Sequence, residues 1–420
     1  MSENKKTIFV FESRAQEPQM VGILYADCNR GKEYYSFEYN ETYLRGRKTA
    51  IRIDPELVLL PGRQYNQGKQ NFGAFSDASP DRWGRTLLDR KERIRARSMS
   101  EKPRKLTESD YLLGVSDKTR MGALRFSLSE NGPFLAEDEG DPVPPWTTLR
   151  SLEEASRQFE KDENIFEDKW LNLLLKPGSS LGGARPKATV QDVNGDLWIA
   201  KFPSKHDSIN SGAWEKIVHD LALRCGLHVP PSVLETFTKA GSTFLVKRFD
   251  RTGILRNHFA SAMTMLGKTD GASASDGTSY LEIAEFIRAE GTRPQEDLAE
   301  LWKRIVFNMA VSNTDDHLRN HGFLWSGGGW RLSPAFDMNP EPAGDTLSLN
   351  ISAEDNTIDI DLAVETCSYY GIEKAKAKEM AAEICRIVHD GWEGLARRYG
   401  VGRGETELMR TAFLASEWGN

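Results

Sequence analysis

The stretch that most restricts the fold runs from residue 298 to residue 337. Leu298, Leu301, Trp302, Ile305, Val306 and Met309 recur at the i, i+3, i+4, i+7 spacing of a helix with one buried stripe, and that helix is expected to run out at Asn313. The loop Ser312-Asn313-Thr314-Asp315-Asp316-His317-Leu318-Arg319-Asn320-His321-Gly322 follows directly. Two short apolar runs, Phe323-Leu324-Trp325 and Trp330-Arg331-Leu332, then flank a turn from Ser326 to Gly329 and read as a β-hairpin. Just beyond it comes Ala335-Phe336-Asp337-Met338-Asn339. A buried helix, a loop of acids and amides, a hairpin and a further acid, in that order, suit few folds.

They also suit one chemistry. Asp315 and Asn320 lie five residues apart, the Asp-to-Asn spacing of a protein-kinase catalytic loop. An Asp can position an attacking hydroxyl and accept its proton. An Asn amide oxygen can bind a hard Mg²⁺ that bridges ATP phosphates, and a second carboxylate after a hairpin can hold the other metal contact. Asp337 stands where that carboxylate is needed, although Met-Asn follows it rather than Phe-Gly.

The nucleotide half is expected upstream. Ser179-Ser180-Leu181-Gly182-Gly183-Ala184-Arg185-Pro186-Lys187 is a Gly-rich loop whose backbone N–H groups can approach phosphates. It opens a hairpin with an Asn194-Gly195 turn, and Lys201 sits on the return strand, where a lysine would pair with phosphate. Glu215 follows fourteen residues later in a helix expected over 213–225, where a Lys–Glu ion pair would originate. Lys247-Arg248-Phe249, ending the strand 244–249, is where backbone groups would hold adenine. Taken singly, each piece has a plainer reading: the glycines as a turn, Lys201 as a solvated strand lysine, Asp315-Asp316-His317 as a cap at a helix end, and His317 as a structural histidine that orients the loop. The order of the pieces carries the assignment.

The chain has 420 residues, enough for two or three domains. Its net charge of −7 argues against a nucleic-acid binder driven by global charge. The four cysteines are scattered, so no zinc site is expected. No apolar run approaches membrane-spanning length and no signal core follows Met1-Ser2-Glu3-Asn4-Lys5-Lys6; the expectation is a cytoplasmic protein with no membrane partner. Residues 7–11, 21–25 and 34–39 read as strands. The tract Arg82–Lys105 holds ten basic and three acidic residues, either a docking face or a solvated basic helix. The acidic, Pro-rich stretch 138–145 reads as a boundary. The expected division is a β-rich subdomain with the basic segment over 1–140, a nucleotide-binding lobe over 141–255 and a mostly α-helical catalytic lobe over 256–420.

At this point the chain resembles the HipA family of serine/threonine protein kinases, the toxin half of HipA–HipB toxin–antitoxin systems. The resemblance rests on Ser180–Lys187, Ile199-Ala200-Lys201-Phe202-Pro203, Val246-Lys247-Arg248-Phe249-Asp250-Arg251, Asn313–Asn320 and Ser333-Pro334-Ala335-Phe336-Asp337. Phe75–Arg85 and Arg120–Phe126 are similar to the family's N-terminal subdomain and its junction. It implies an α+β, protein-kinase-like two-lobed fold with an N-terminal β-rich subdomain and an all-α C-terminal lobe. It implies ATP and Mg²⁺ as cofactors, with Asp315 and Lys201 catalytic, Gly182, Gly183, Ala184, Lys187, Lys201, Lys247, Arg248 and Phe249 binding ATP, Asn320 and Asp337 holding metal, and Glu215 and His317 in support. Family members phosphorylate a protein, in the best-known case a glutamate tRNA ligase. They bind a small helix-turn-helix antitoxin and reach DNA through it, and they are silenced by autophosphorylation of a loop serine that corresponds to Ser180. The chain departs from the best-known members at Lys247, often Glu, at Asp316, often Gly, and after Asn257-His258, which places it in another branch. Two other classes compete: a small-molecule phosphotransferase of the aminoglycoside-kinase type, which has no need of an extra β-rich domain, and a DNA-bound corepressor module, against which the intact Lys201, Asp315, Asn320 and Asp337 argue.

Overall fold

Period-two burial builds the first sheet. In β1 (Lys5–Glu12), Ile8, Val10 and Glu12 are buried and the residues between them are partly exposed. β1 pairs antiparallel with β2 (Gln19–Asn29), which pairs with β3 (Lys32–Tyr39). Arg30 and Gly31 join β2 to β3 and both have positive φ, 50° and 78°, the two-residue turn whose twist matches the flanking strands. β4 (Arg63–Tyr65) and β5 (Leu124–Ser127) complete the order β4-β3-β2-β1-β5. Phe37, Phe75 and Phe126 pack ring on ring in its core, at 5.6 and 6.1 Å. In this computed structural model every residue is described except 1–4, 47–49, 136–142, 162–167, 176–182, 184 and 420.

The chain divides into two compact units, Met1–Lys205 with Arg248–Ala260, and His206–Lys247 with Ser261–Asn420. In the first, the basic tract forms a helix, Arg82–Ser98, and a connection to a second helix, Glu108–Gly114. Asp81 caps the longer helix by accepting the Gly84 N–H at 2.7 Å. The hairpin expected around Asn194-Gly195 is present, Lys187–Gln191 pairing with Leu197–Lys201 and Lys187 opposite Lys201. Two distant stretches, 117–125 and 248–256, meet in a knot of buried charge. Arg248 grips Asp250 through two bonds of 2.8 and 2.7 Å and donates to the carbonyls of Thr119 and Arg120. Gly122 N–H donates to Asp250 at 2.8 Å, and Asp117 takes Arg125 and Arg256.

The second unit is mostly helical. Helix Pro294–Ala310 starts with Pro at its first position, where the missing N–H is harmless, and buries the whole expected stripe from Leu298 to Met309. It ends three residues short of the expected Asn313. Trp302 is fully buried and its indole N–H donates to Ala363 O at 2.8 Å. Helix Ser211–Arg224 packs Trp214 against Trp392 and Phe413, the former from the helix Lys374–Arg398. The hairpins Ser232–Thr238 with Gly241–Lys247, and Gly322–Ser326 with Gly329–Leu332, belong to this unit too. The second turns on Gly327 and Gly328, φ 67° and 93°, a conformation that favours glycine at both positions. Among the described residues no helix is long and apolar enough to cross a membrane.

Candidate active site

The loop between the helix Pro294–Ala310 and the hairpin sends two adjacent acids in opposite directions. The Asp315 side chain is 84% exposed. Asp316 is buried, 4% exposed, and its Oδ2 accepts from Tyr280 Oη at 2.7 Å, Asn308 Nδ2 at 2.6 Å and His321 Nε2 at 2.9 Å. Burial alone would raise the Asp316 pKa; His321 beside it, with the bonds from His321 and Tyr280, outweighs that and holds it below the ordinary carboxylate value. Burial, then the Asp316 charge, pushes the Tyr280 hydroxyl well above its usual range. An ionised buried acid therefore sits at the centre of the loop and an open one beside it.

Asn320 is buried and oriented. Its Nδ2 donates to Asp315 O at 2.9 Å, and the His317 N–H donates to the same carbonyl at 2.9 Å. The amide nitrogen being used, Oδ1 remains as the acceptor, the donor type a hard cation takes. His317 Nε2 lies 3.9 Å from Asp315 Oδ1, beside the open acid. The segment after the hairpin is tied to the same loop: Asn339 N–H donates to Asn313 Oδ1 at 3.1 Å, Asn313 Nδ2 donates to Asn308 Oδ1 at 3.1 Å, and Glu341 N–H donates to Ser312 O. Asp337 lies two residues before Asn339, partly exposed, with φ 58°. Ser312 has φ 47°. Left-handed backbone at two non-glycine residues is held only where surrounding bonds fix it. Asn320 and Asp337 thus lie on stretches tied to the same loop, and both carry oxygen donors, the type that suits Mg²⁺.

The upstream candidates fall as follows. Gly183 is exposed with φ 77°; Gly182, Ala184 and Ser180 lie outside the described residues. Lys187 is buried, and its ammonium bonds Asp81 at 2.8 Å and Gly183 O at 3.4 Å, while Trp83 Nε1 donates to Lys187 O. The end of the Gly-rich loop is therefore fastened to the capped start of the helix Arg82–Ser98. Lys201 and Glu215 are both buried. The Lys247 N–H donates to Pro231 O and the Arg248 N–H to Leu197 O, both at 2.8 Å. The Arg248 side chain belongs to the buried knot, and the Phe249 ring packs 6.0 Å from that of Phe259. Sequence reasoning missed Tyr280, Asn308 and Asn313 as site-forming residues, and Asp81 as the partner of Lys187. An Asn at 308, inside an otherwise apolar stripe, was the available signal.

The fold is that of a HipA toxin. The structure of HipA from Shewanella oneidensis MR-1, solved with HipB and its operator DNA, superposes with a TM-score of 0.70 at 16% identity, covering 98% of this chain and 96% of that one. The family model of the HipA-like C-terminal domain matches residues 179–392, more than half of the chain, and the chain belongs to the HipA family. Among curated relatives, the candidate kinase Y4mE of Sinorhizobium fredii is 26% identical over 249 residues, 53% of this chain and 51% of its own length. A second candidate kinase of that organism, Y4dM, is 26% identical over 341 residues, 75% of each chain. The chain spans about half the length of Y4mE.

Proposed function

We propose that this chain is an ATP-dependent serine/threonine protein kinase of the toxin type. The observation that carries the reading is the loop itself: an open Asp315, an Asn320 whose amide oxygen is left for a cation, and Asp337 on the same bonded framework. In this reading Asp315 accepts the proton of the attacking hydroxyl, and His317 orients it. Asn320 and Asp337 would hold Mg²⁺, which when bound neutralises charge on the ATP phosphates. Lys201, supported by Glu215, would bind phosphate; Gly182, Gly183, Ala184 and Lys187 would supply the loop around it, and Lys247, Arg248 and Phe249 the adenine edge. The N–H groups of Lys247 and Arg248 are already bonded, to Pro231 O and Leu197 O. The target would be a cellular protein, with an aminoacyl-tRNA synthetase as the family precedent. Phosphorylation of Ser180 would add about −1.5 to −2 charges where ATP phosphates bind and so silence the enzyme. A HipB-like helix-turn-helix antitoxin, with DNA reached only through it, is supported by the HipA relative solved with both. The site of action would be the cytoplasm.

The test is incubation with γ-labelled ATP, Mg²⁺ and a cell extract, with labelled proteins identified by mass spectrometry. Label on a discrete protein, lost in EDTA, supports the reading. No transfer, or transfer undiminished in EDTA, contradicts it. Phosphate on Ser180 in the wild type and not in Asp315→Asn would support self-silencing.

A further inference from the structure

We propose that Asp316 is the positioning residue of this loop, setting both the direction of Asp315 and the metal-facing amide of Asn320 through a three-donor clamp on one carboxylate oxygen. The proposal rests on the reading of Asp315, Asn320 and Asp337 as the reacting set. Its starting point is convergence. Tyr280 opens the helix Tyr280–Glu290, Asn308 lies in the last turn of the helix Pro294–Ala310, and His321 sits at the end of the loop, yet all three donate to Oδ2 of the same residue. Three directional bonds from three stretches of chain fix an atom in space. The residue before it then has little freedom. Its carbonyl is held by the His317 N–H and the Asn320 amide together, while its side chain is the open one.

The clamp reaches the third member as well. Asn308 donates to Asp316 and accepts from Asn313, and Asn313 accepts the N–H of Asn339, two residues beyond Asp337. One buried acid is therefore linked by bonds to the stretch carrying each member of the set. A packing role alone would not call for an acid here, because an enclosed carboxylate is expensive unless fully bonded and an apolar side chain of similar size fills space without that penalty. A positioning role does call for one. An ionised oxygen accepts several strong bonds at once, and groups behind a metal ligand typically change its affinity 10- to 100-fold when lost.

Two variants test this, Asp316→Asn, which keeps the shape and removes the charge, and Tyr280→Phe, which removes a single donor. Amide hydrogen exchange is read at His317 and Asn320, Mn²⁺ affinity by electron paramagnetic resonance, and the Mg²⁺ concentration giving half-maximal phosphotransfer alongside the thermal midpoint. The expected result is faster exchange at both amides, Mn²⁺ affinity about 10- to 100-fold weaker in Asp316→Asn, a smaller shift of the same sign in Tyr280→Phe, and a raised Mg²⁺ requirement with the midpoint of Tyr280→Phe nearly unmoved. A loss of stability with unchanged exchange and unchanged metal affinity overturns the proposal, since that is what packing alone would give. Should Asp316→Asn fail to fold, Tyr280→Phe decides by the same readings. No phosphotransfer by the wild type would instead overturn the kinase reading, and the exchange and Mn²⁺ measurements tell the two failures apart.

Discussion

Asp250 in the first unit and Asp316 in the second are both enclosed, and they are compensated by different chemistry. Asp250 is fully buried and takes arginine: Arg248 in a two-bond grip and Arg251 beside it, with the Gly122 N–H. Asp316 takes a phenol, an amide and an imidazole, and no lysine or arginine among the described residues bonds to it. A guanidinium offers strength and a planar fork, which suits a weld between segments more than a hundred residues apart. Single donors offer direction with less charge, which suits a loop whose neighbours must keep one orientation. The difference separates an acid that holds the molecule together from one that holds a site in shape.

The largest effect expected is on the site. Asp337→Ala should abolish Mg²⁺-dependent phosphotransfer and weaken nucleotide binding in Mg²⁺, measured by titration calorimetry with the folded state checked by circular dichroism; normal transfer would remove Asp337 from the metal set. Next comes the weld. Asp250→Ala leaves the buried Arg248 and the partly buried Arg251 without their acid and should destabilise the chain by about 3–5 kcal/mol, read from denaturant midpoints. A loss under about 1 kcal/mol would show that the knot does not hold 117–125 to 248–256.

Acid sharpens the contrast. Burial raises the Asp250 pKa but Arg248 and Arg251 bring it down to about 2. A carboxyl depressed from its unfolded value of about 3.9 contributes stability that is present above that pH and is lost as pH falls through the folded value. The wild type should therefore lose about 2 kcal/mol between pH 4 and pH 2 from this group, and Asp250→Asn should show a flatter thermal-midpoint profile over that window. Asp316, also depressed, adds a loss of the same sign. The smallest effect concerns the basic helix. Arg93 and Arg97 are exposed, whereas Arg95 is tied to Glu92 and Glu101. Reversing Arg93 and Arg97 to Glu should change stability by no more than about 0.5 kcal/mol. A salt-dependent loss of binding to DNA or to an antitoxin–DNA complex in gel shifts would turn this surface into a docking face.

How much of this was legible in the sequence follows from the range of each interaction. The stripe from Leu298 to Met309 and the hairpin after it are local patterns, and both were readable. So was the Asp315-to-Asn320 spacing, because the Asn320 bond to Asp315 O closes within five residues. Asp316 read only as an extra acid, since its partner Tyr280 lies 36 residues upstream. Lys187 read as the end of the Gly-rich loop, and the bond of its ammonium to Asp81, 106 residues away, was not legible. Arg248 read as part of an adenine edge, and its guanidinium reaches carbonyls 128 and 129 residues back in the chain. Spacing along the chain cannot show which distant group a charge will bond; only the tertiary fold does.

Phosphotransfer in the proposed reading depends on Asp315, the exposed acid of the loop. Its most direct test is the rate of phosphotransfer from Mg-ATP by purified Asp315→Asn, measured beside the wild type on an identified protein target, with thermal midpoints recorded for both. The side chain is exposed and its neighbour carries the buried bonds, so the midpoint should stay close to that of the wild type while the rate falls by about 10²–10⁴. A wild-type rate in Asp315→Asn, together with loss of transfer in a folded Asp316→Asn, would contradict the account and move the proton-accepting role to Asp316.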